Sequence, residues 1–188
     1  MNKKQIIVMS ILVSLMIILG ITQSFFKESF TQVVLVENGI NEFKEYNFED
    51  GKYTFSLPNE WEVSEKQSIG QYISYKADFK DKENKITGYL QVIDTQSDLG
   101  VFAENDLKNL PLTYTNEQIT PFKFQNVSGV LSQYKTKVKK GYTFENICYY
   151  LNGDNGKTIK ILFNIKEDYY KENIKTVLNT IVSKVKIK

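Results

Sequence analysis

Ile6 through Ile21 run without a single charged residue, directly after Lys3 and Lys4. Read as a helix from Gln5 to Phe26, this stretch reaches about 33 Å at about 1.5 Å per residue, enough to cross the hydrocarbon core of a bilayer. It has no polar face of the kind a surface helix of a soluble domain needs. An uncleaved signal anchor is the expected form. A cleaved signal peptide is the alternative, but Gly20-Ile21-Thr22 and Thr22-Gln23-Ser24 are poor substitutes for an alanine-bearing cleavage site. No cysteine lies beside the segment to take a lipid. Lys3 and Lys4 would hold the N-terminus in the cytoplasm, so the rest of the chain is expected on the extracytoplasmic side of the cell membrane as a single-pass protein. The organisation that follows is an anchor over 1–26, a stalk over 27–42 and an extracytoplasmic domain over 43–188. Within and beside the stalk, "TQVVLV" has no clear period and allows at most a short strand.

Beyond the stalk, strand signals follow in quick succession. "YTFSL" places Tyr53, Phe55 and Leu57 on one face, and "QYISYKADF" does the same for Ile73, Tyr75, Ala77 and Phe79. "DKENK" is a turn, and "TGYLQVIDT" returns from it as a hairpin partner. Asp98 to Leu110 reads as a modest helix ended by Pro111. "PFKFQNV", "GVLSQYKTKV" and "YTFENICYYL" are further strands, "NGDNG" is a strong turn, and "TIKILFNI" alternates cleanly. The final segment, "EDYYKENIKTVLNTIVSKV", predicts a helix capped by Glu167 or Asp168. Its apolar stripe is Tyr170, Ile174, Val177, Leu178, Ile181 and Val185. The fold class is therefore α+β, an antiparallel sheet of about six strands with helices packed on it, preceded by one transmembrane helix.

Several chemistries are excluded by composition. The chain has no histidine, which removes Ser-His-Asp and Cys-His catalysis. A single cysteine, Cys148, allows neither an intrachain disulfide nor a Cys/His zinc site. No cofactor and no metal site is expected, and "NGDNG" lacks the spacing of a calcium loop. Asp78, Asp81, Glu83 and Asp94 fall near strand ends or turns, where carboxylates are usually solvated. Glycosidase-type chemistry would need two of them to converge in a cleft. The weight of Lys, Asn and Ile points to an AT-rich bacterial genome.

Tyr53, Phe55, Ser56, Leu57, Pro58 and Trp61 carry a family likeness. A strand of the form aromatic-x-Phe-Ser-x-Pro, with tryptophan shortly after, resembles the opening of PsbP-like domains. The hairpin that follows, the mid-chain helix, the long strand before a terminal helix and the closing "VKIK" agree with it, over residues 43–188. The resemblance implies an antiparallel sheet between helices, in an α/β/α sandwich. It also implies a binding or accessory role, since the family includes an extrinsic photosystem subunit, a Ran-binding import factor and bacterial lipoproteins. The chain departs from the family in having no lipobox cysteine and no histidine for metal binding. Pro58 suits a strand end, and Trp61 is expected to be a core plug rather than a ligand-stacking ring.

Residues 27–188 hold 22 lysines and 22 acids, with net −7 up to Asn126 and net +7 from Val127. Such neutrality speaks against general nucleic-acid binding. The sharpest local feature is "YKTKVKK": Lys135, Lys137 and Lys139 on one strand face, with Lys140 at the turn. This stripe is the candidate surface for lipid headgroups or an anionic wall polymer. A solvated face that guards a strand edge is its plainer reading. The expectation is a membrane-anchored, extracytoplasmic, non-catalytic binding or accessory module acting on an envelope protein or ligand. A carboxylate-dependent envelope hydrolase and a purely structural envelope protein are the alternatives.

Overall fold

The computed structural model describes residues 3–49, 51–67, 71–83, 85–138 and 141–187, and the chain divides into two compact units, Met1–Gly39 and Ile40–Lys188.

The first unit is one helix, α1 (Lys3–Glu37), of which Lys4–Thr22 is long and apolar enough to cross a membrane. Helix continues through residues 27–37, where a stalk with at most a short strand was expected. No Gly or Pro interrupts that stretch, and extending an existing helix avoids the cost of a new nucleus. It ends where Gly39 takes a φ of +71° and donates its N–H to the Val36 carbonyl.

The second unit holds β1 (Phe43–Phe48), β2 (Tyr53–Pro58), β3 (Glu62–Gln67), β4 (Ile73–Lys80), β5 (Ile86–Asp94), α2 (Leu99–Lys108), β6 (Tyr114–Phe124), β7 (Val127–Lys137), β8 (Thr143–Asn152), β9 (Lys157–Lys166), α3 (Ile174–Ser183) and β10 (Lys186–Ile187). The large sheet has seven strands in the order β3-β4-β5-β9-β8-β7-β6, and a small sheet has the order β1-β2-β10. All pairings are antiparallel. Two meanders, β3-β4-β5 and β6-β7-β8-β9, are joined by the single long-range pairing of β5 with β9. The large sheet thus exceeds the expected six strands. The additional edge strand β3, "EVSEKQ", carries too few apolar residues to show a buried face.

Alternation sorts the large sheet into two faces. The inner face carries Tyr75, Ala77, Phe79, Leu90, Val92, Ile159, Ile161, Phe163, Ile147 and Tyr149, all buried. The small sheet packs on it through stacked rings, with Phe48 and Tyr75 centroids 4.3 Å apart and Phe48 and Tyr53 5.1 Å apart. From α3, Asn179 accepts a 2.7 Å hydrogen bond from the Tyr149 hydroxyl. The outer face is covered in part by α2, whose Leu99 and Ala103 sit against Cys148, Tyr150 and Leu162.

Local chemistry accounts for most element boundaries. Asp98 caps α2 by accepting from the Gly100 and Val101 amides at 2.8 and 3.2 Å. Asn155 and Gly156, with φ of +54° and +76°, form the tight β8–β9 hairpin turn that "NGDNG" predicts. Gly88 is required by close approach, since a Cβ there would lie 2.0 Å from the Leu162 carbonyl oxygen. On edge strand β6, the positive φ of Asn116 and a register shift between Thr115 and Gln118 mark a bulge, and Pro121 follows it.

The terminal helix starts later than expected. Residues Glu167–Tyr169 make one 3-10 turn, Tyr170 is extended, and α3 begins at Ile174 without a side-chain cap. Glu167 does not cap; its carboxylate accepts from Lys135 instead. Val185 lies beyond the helix end at Lys184. Trp61, as expected, packs: it is 8% exposed and its ring stacks 5.6 Å from Phe79.

At the β1–β2 turn, Glu49 receives the Lys157 ammonium on both carboxylate oxygens at 2.7 Å and a short hydrogen bond from Ser74. Burial works against its charge, but the Lys157 and Ser74 hydrogen bonds outweigh it and hold the carboxyl below its ordinary value. A carboxyl depressed by folding stabilises fully above its unfolded pKa, about 4.3, and that stability is lost as pH falls through the folded value. Thermal melts from about pH 6 down to about pH 3 are expected to show an acid limb that is shallower in Glu49→Gln. Equal limbs in both proteins would remove Glu49 as a source of acid sensitivity.

Candidate functional site

The outer face of the large sheet carries the polar chemistry of the domain. Under α2, Lys160 projects from the middle of β9 and is 6% exposed. Its ammonium meets both Asp106 carboxylate oxygens, at 2.8 and 2.7 Å. The Tyr150 hydroxyl donates to the same carboxylate at 2.6 Å. Burial opposes the Lys160 charge, yet the Asp106 carboxylate favours it, and the balance places its pKa above the ordinary lysine value. Lys160 and Lys76 both stand over the Tyr89 ring, 5.4 and 5.2 Å from its centroid. This arrangement ties α2 to the sheet through charge as well as apolar contact.

Cys148 lies in the same layer, fully buried, and burial pushes its thiol up to about 12. Such a thiol is a packing residue rather than a nucleophile. Folded protein at about pH 8 is therefore expected to resist a thiol-specific chromogenic reagent until denaturant is added. Rapid stoichiometric labelling of native protein would show that the layer opens.

Beside this layer, α2 leaves β3, β4 and β5 uncovered. Here lies an open concavity of about 430 Å³, bordered by Glu62, Ser64, Asp78, Lys80, Thr87, Tyr89 and Asn164. Each bordering carboxylate has a lysine partner: Glu62 with Lys80 at 2.9 Å, and Asp78 with Lys76 at 2.8 Å. Of the other acids read near turns, Asp81 accepts from the Ile86 amide at 3.0 Å and Glu83 pairs with Lys85. Of Asp78, Asp81, Glu83 and Asp94, Asp78 alone borders the concavity. Among the described residues, no group of three Cys, Asp or Glu side chains could hold a metal ion.

The lysine stripe divides. Lys135 and Lys137 alternate onto one face of β7. Lys135 is held between Glu145 and Glu167, 2.7 Å from each, and those hydrogen bonds raise its pKa. Lys137 is exposed. Lys139 and Lys140 lie outside the described residues. Sequence reading missed Lys160 and Asp106. The alternation of Ile159 and Ile161 puts Lys160 on the opposite face of β9, and only α2 docked there buries it.

The arrangement of one large antiparallel sheet between α2 and α3 is similar to a known structure. Over 79% of this chain and 94% of the other, it superposes on the solution structure of cyanobacterial PsbP (CyanoP) from Synechocystis sp. PCC 6803, with a TM-score of 0.55 and 13% sequence identity. The domain therefore has a PsbP-like α+β fold. No protein-family model matches the sequence, and no curated protein does.

Proposed function

We propose that the protein is a single-pass membrane protein whose domain stands outside the cytoplasmic membrane and works as a non-catalytic accessory module, binding an envelope protein or ligand. The observation that carries this reading is the joining of a membrane-length apolar helix to a PsbP-like domain. Lysine pairing of the carboxylates around the open concavity supports binding rather than acid–base chemistry. The same concavity, rimmed by charged side chains and uncovered by α2, is the surface we assign to the partner.

Crosslinking in cells tests this. A photo-crosslinking residue at Thr87, in the concavity, is expected to capture one protein in stoichiometric yield, while the same residue at Lys123 on the far edge strand is not. Intact mass of the membrane fraction is expected to include residues 1–26. Capture by an impermeant reagent from the cytoplasmic side would overturn the topology. Turnover of envelope polymer, lost on Asp78→Asn, would favour the hydrolase reading.

A further inference from the structure

The topology sends several connections to the end of the domain where the chain enters. The Asn59 amide donates to the Glu42 carbonyl at 3.0 Å, so the entry segment lies beside the β2–β3 connection. Glu62, at the start of β3, pairs with Lys80, at the end of β4. Ile86 pairs with Ile165, Phe144 with Lys166, Lys137 with Thr143, and Tyr114 with Thr136. The β4–β5 turn, the α2–β6 loop, the β7–β8 turn and the start of the segment after β9 therefore share the entry end.

Three large side chains are exposed there: Leu112 at 48%, Tyr142 at 57% and Tyr169 at 44%. Tyr142 and Tyr169 flank one ion-pair cluster, because Lys135 bridges Glu145 and Glu167 between the β7–β8 turn and the segment after β9. Among the acids at this end, Glu62 pairs with Lys80, Glu83 with Lys85 and Glu167 with Lys135, and Asp81 accepts from the Ile86 amide. Glu42, Asp168 and Glu172 are exposed beside them. Lys82, Lys137 and Lys171 are exposed and make no ion pair among the described residues. Tyrosines with lysines around them are the residues that settle at a bilayer headgroup layer, the ring partly inserted and the ammonium on lipid phosphate.

We infer that this entry end docks on the anionic lipid surface of the membrane that holds α1, through Leu112, Tyr142 and Tyr169 ringed by Lys82, Lys137 and Lys171. The inference rests on the anchored reading proposed above.

The test uses the full chain reconstituted in vesicles whose lipids carry bromine near the headgroup end of the acyl chain. The native chain has one tryptophan, Trp61, in the core. Its emission serves as the internal reference. Tyr142→Trp is expected to add emission that is quenched at least twofold in vesicles with about one-third anionic lipid, the regime in which headgroup charge recruits lysines. Adding Lys82→Glu, Lys137→Glu and Lys171→Glu is expected to abolish the quenching while Trp61 emission stays unchanged. Vesicle flotation reports the anchor separately. Flotation without quenching of the added tryptophan overturns the docking and leaves the anchor standing. Equal quenching in purely zwitterionic vesicles overturns the anionic requirement. Failure to float overturns the anchored reading and the docking with it.

Discussion

Lys160→Met is expected to lower the stability of the domain by about 3 kcal/mol, because it strands the Asp106 carboxylate beneath α2 without its counter-charge. The lower end of the usual range applies, since the Asp106 side chain keeps 24% of its exposure while Lys160 keeps 7%. Water can reach one partner and soften the loss. The value of the pair itself is a different quantity. Asp106→Leu combined with Lys160→Met is expected to recover most of the stability, since a buried ion pair replaced by apolar groups of similar volume is often neutral. Tyr150 would then lose the acceptor for its hydroxyl, so recovery should be incomplete by about 1 kcal/mol. Urea unfolding of the detergent-solubilised chain, followed by Trp61 emission, reads both variants. A single-mutant loss well under 1 kcal/mol would mean that the pair is solvated and that α2 is held by its apolar contacts alone.

Trp61→Ala is expected to cost about 3–5 kcal/mol, the range for deleting a large aromatic from a packed site. Its ring stacks on Phe79, which in turn lies 5.3 Å from Phe163, so the cavity opens onto a chain of rings rather than onto a flexible surface. Trp61→Phe should restore most of the loss by keeping the stack. The shift in urea midpoint, read by circular dichroism since the probe residue is gone, checks both. An alanine variant as stable as the parent would free Trp61 for a ligand-stacking role instead.

Where one face of a strand was apolar and the other polar, the sequence was readable. β4, β5 and β9 carry that alternation, and the turns between them carry the expected residues, so the central hairpin and the final long strand appear where the pattern places them. The start of α2 beside Asp98 and the turn at Asn155-Gly156 were legible for the same reason: each is local chemistry. Elements decided by distant partners were not. β3 is a strand because β4 offers it an edge, not because "EVSEKQ" prefers one. Glu167 and Asp168 fall in a separate 3-10 turn seven and six positions before α3 begins, and Glu167 is engaged there by Lys135, 32 positions away. At the candidate site, the lysine stripe was visible as spacing, but the carboxylates that hold Lys135 lie on β8 and in the turn after β9. Pairing of Lys160 with Asp106 needs α2 docked on the sheet, which no window of sequence contains.

The pairing of β5 with β9 also sets a clock. β5 is complete once Asp94 is made, yet its partner across the sheet begins at Lys157. At about 5–20 residues per second, roughly 3–12 s of synthesis separate the two. Throughout that interval the first meander is a three-stranded half whose open edge bears a full ladder of unpaired amides and carbonyls. Every nascent copy passes through this stage, and neighbouring copies offer one another the same edge. Yield of folded protein is therefore expected to depend less on the final stability of the domain than on how quickly the second meander follows the first.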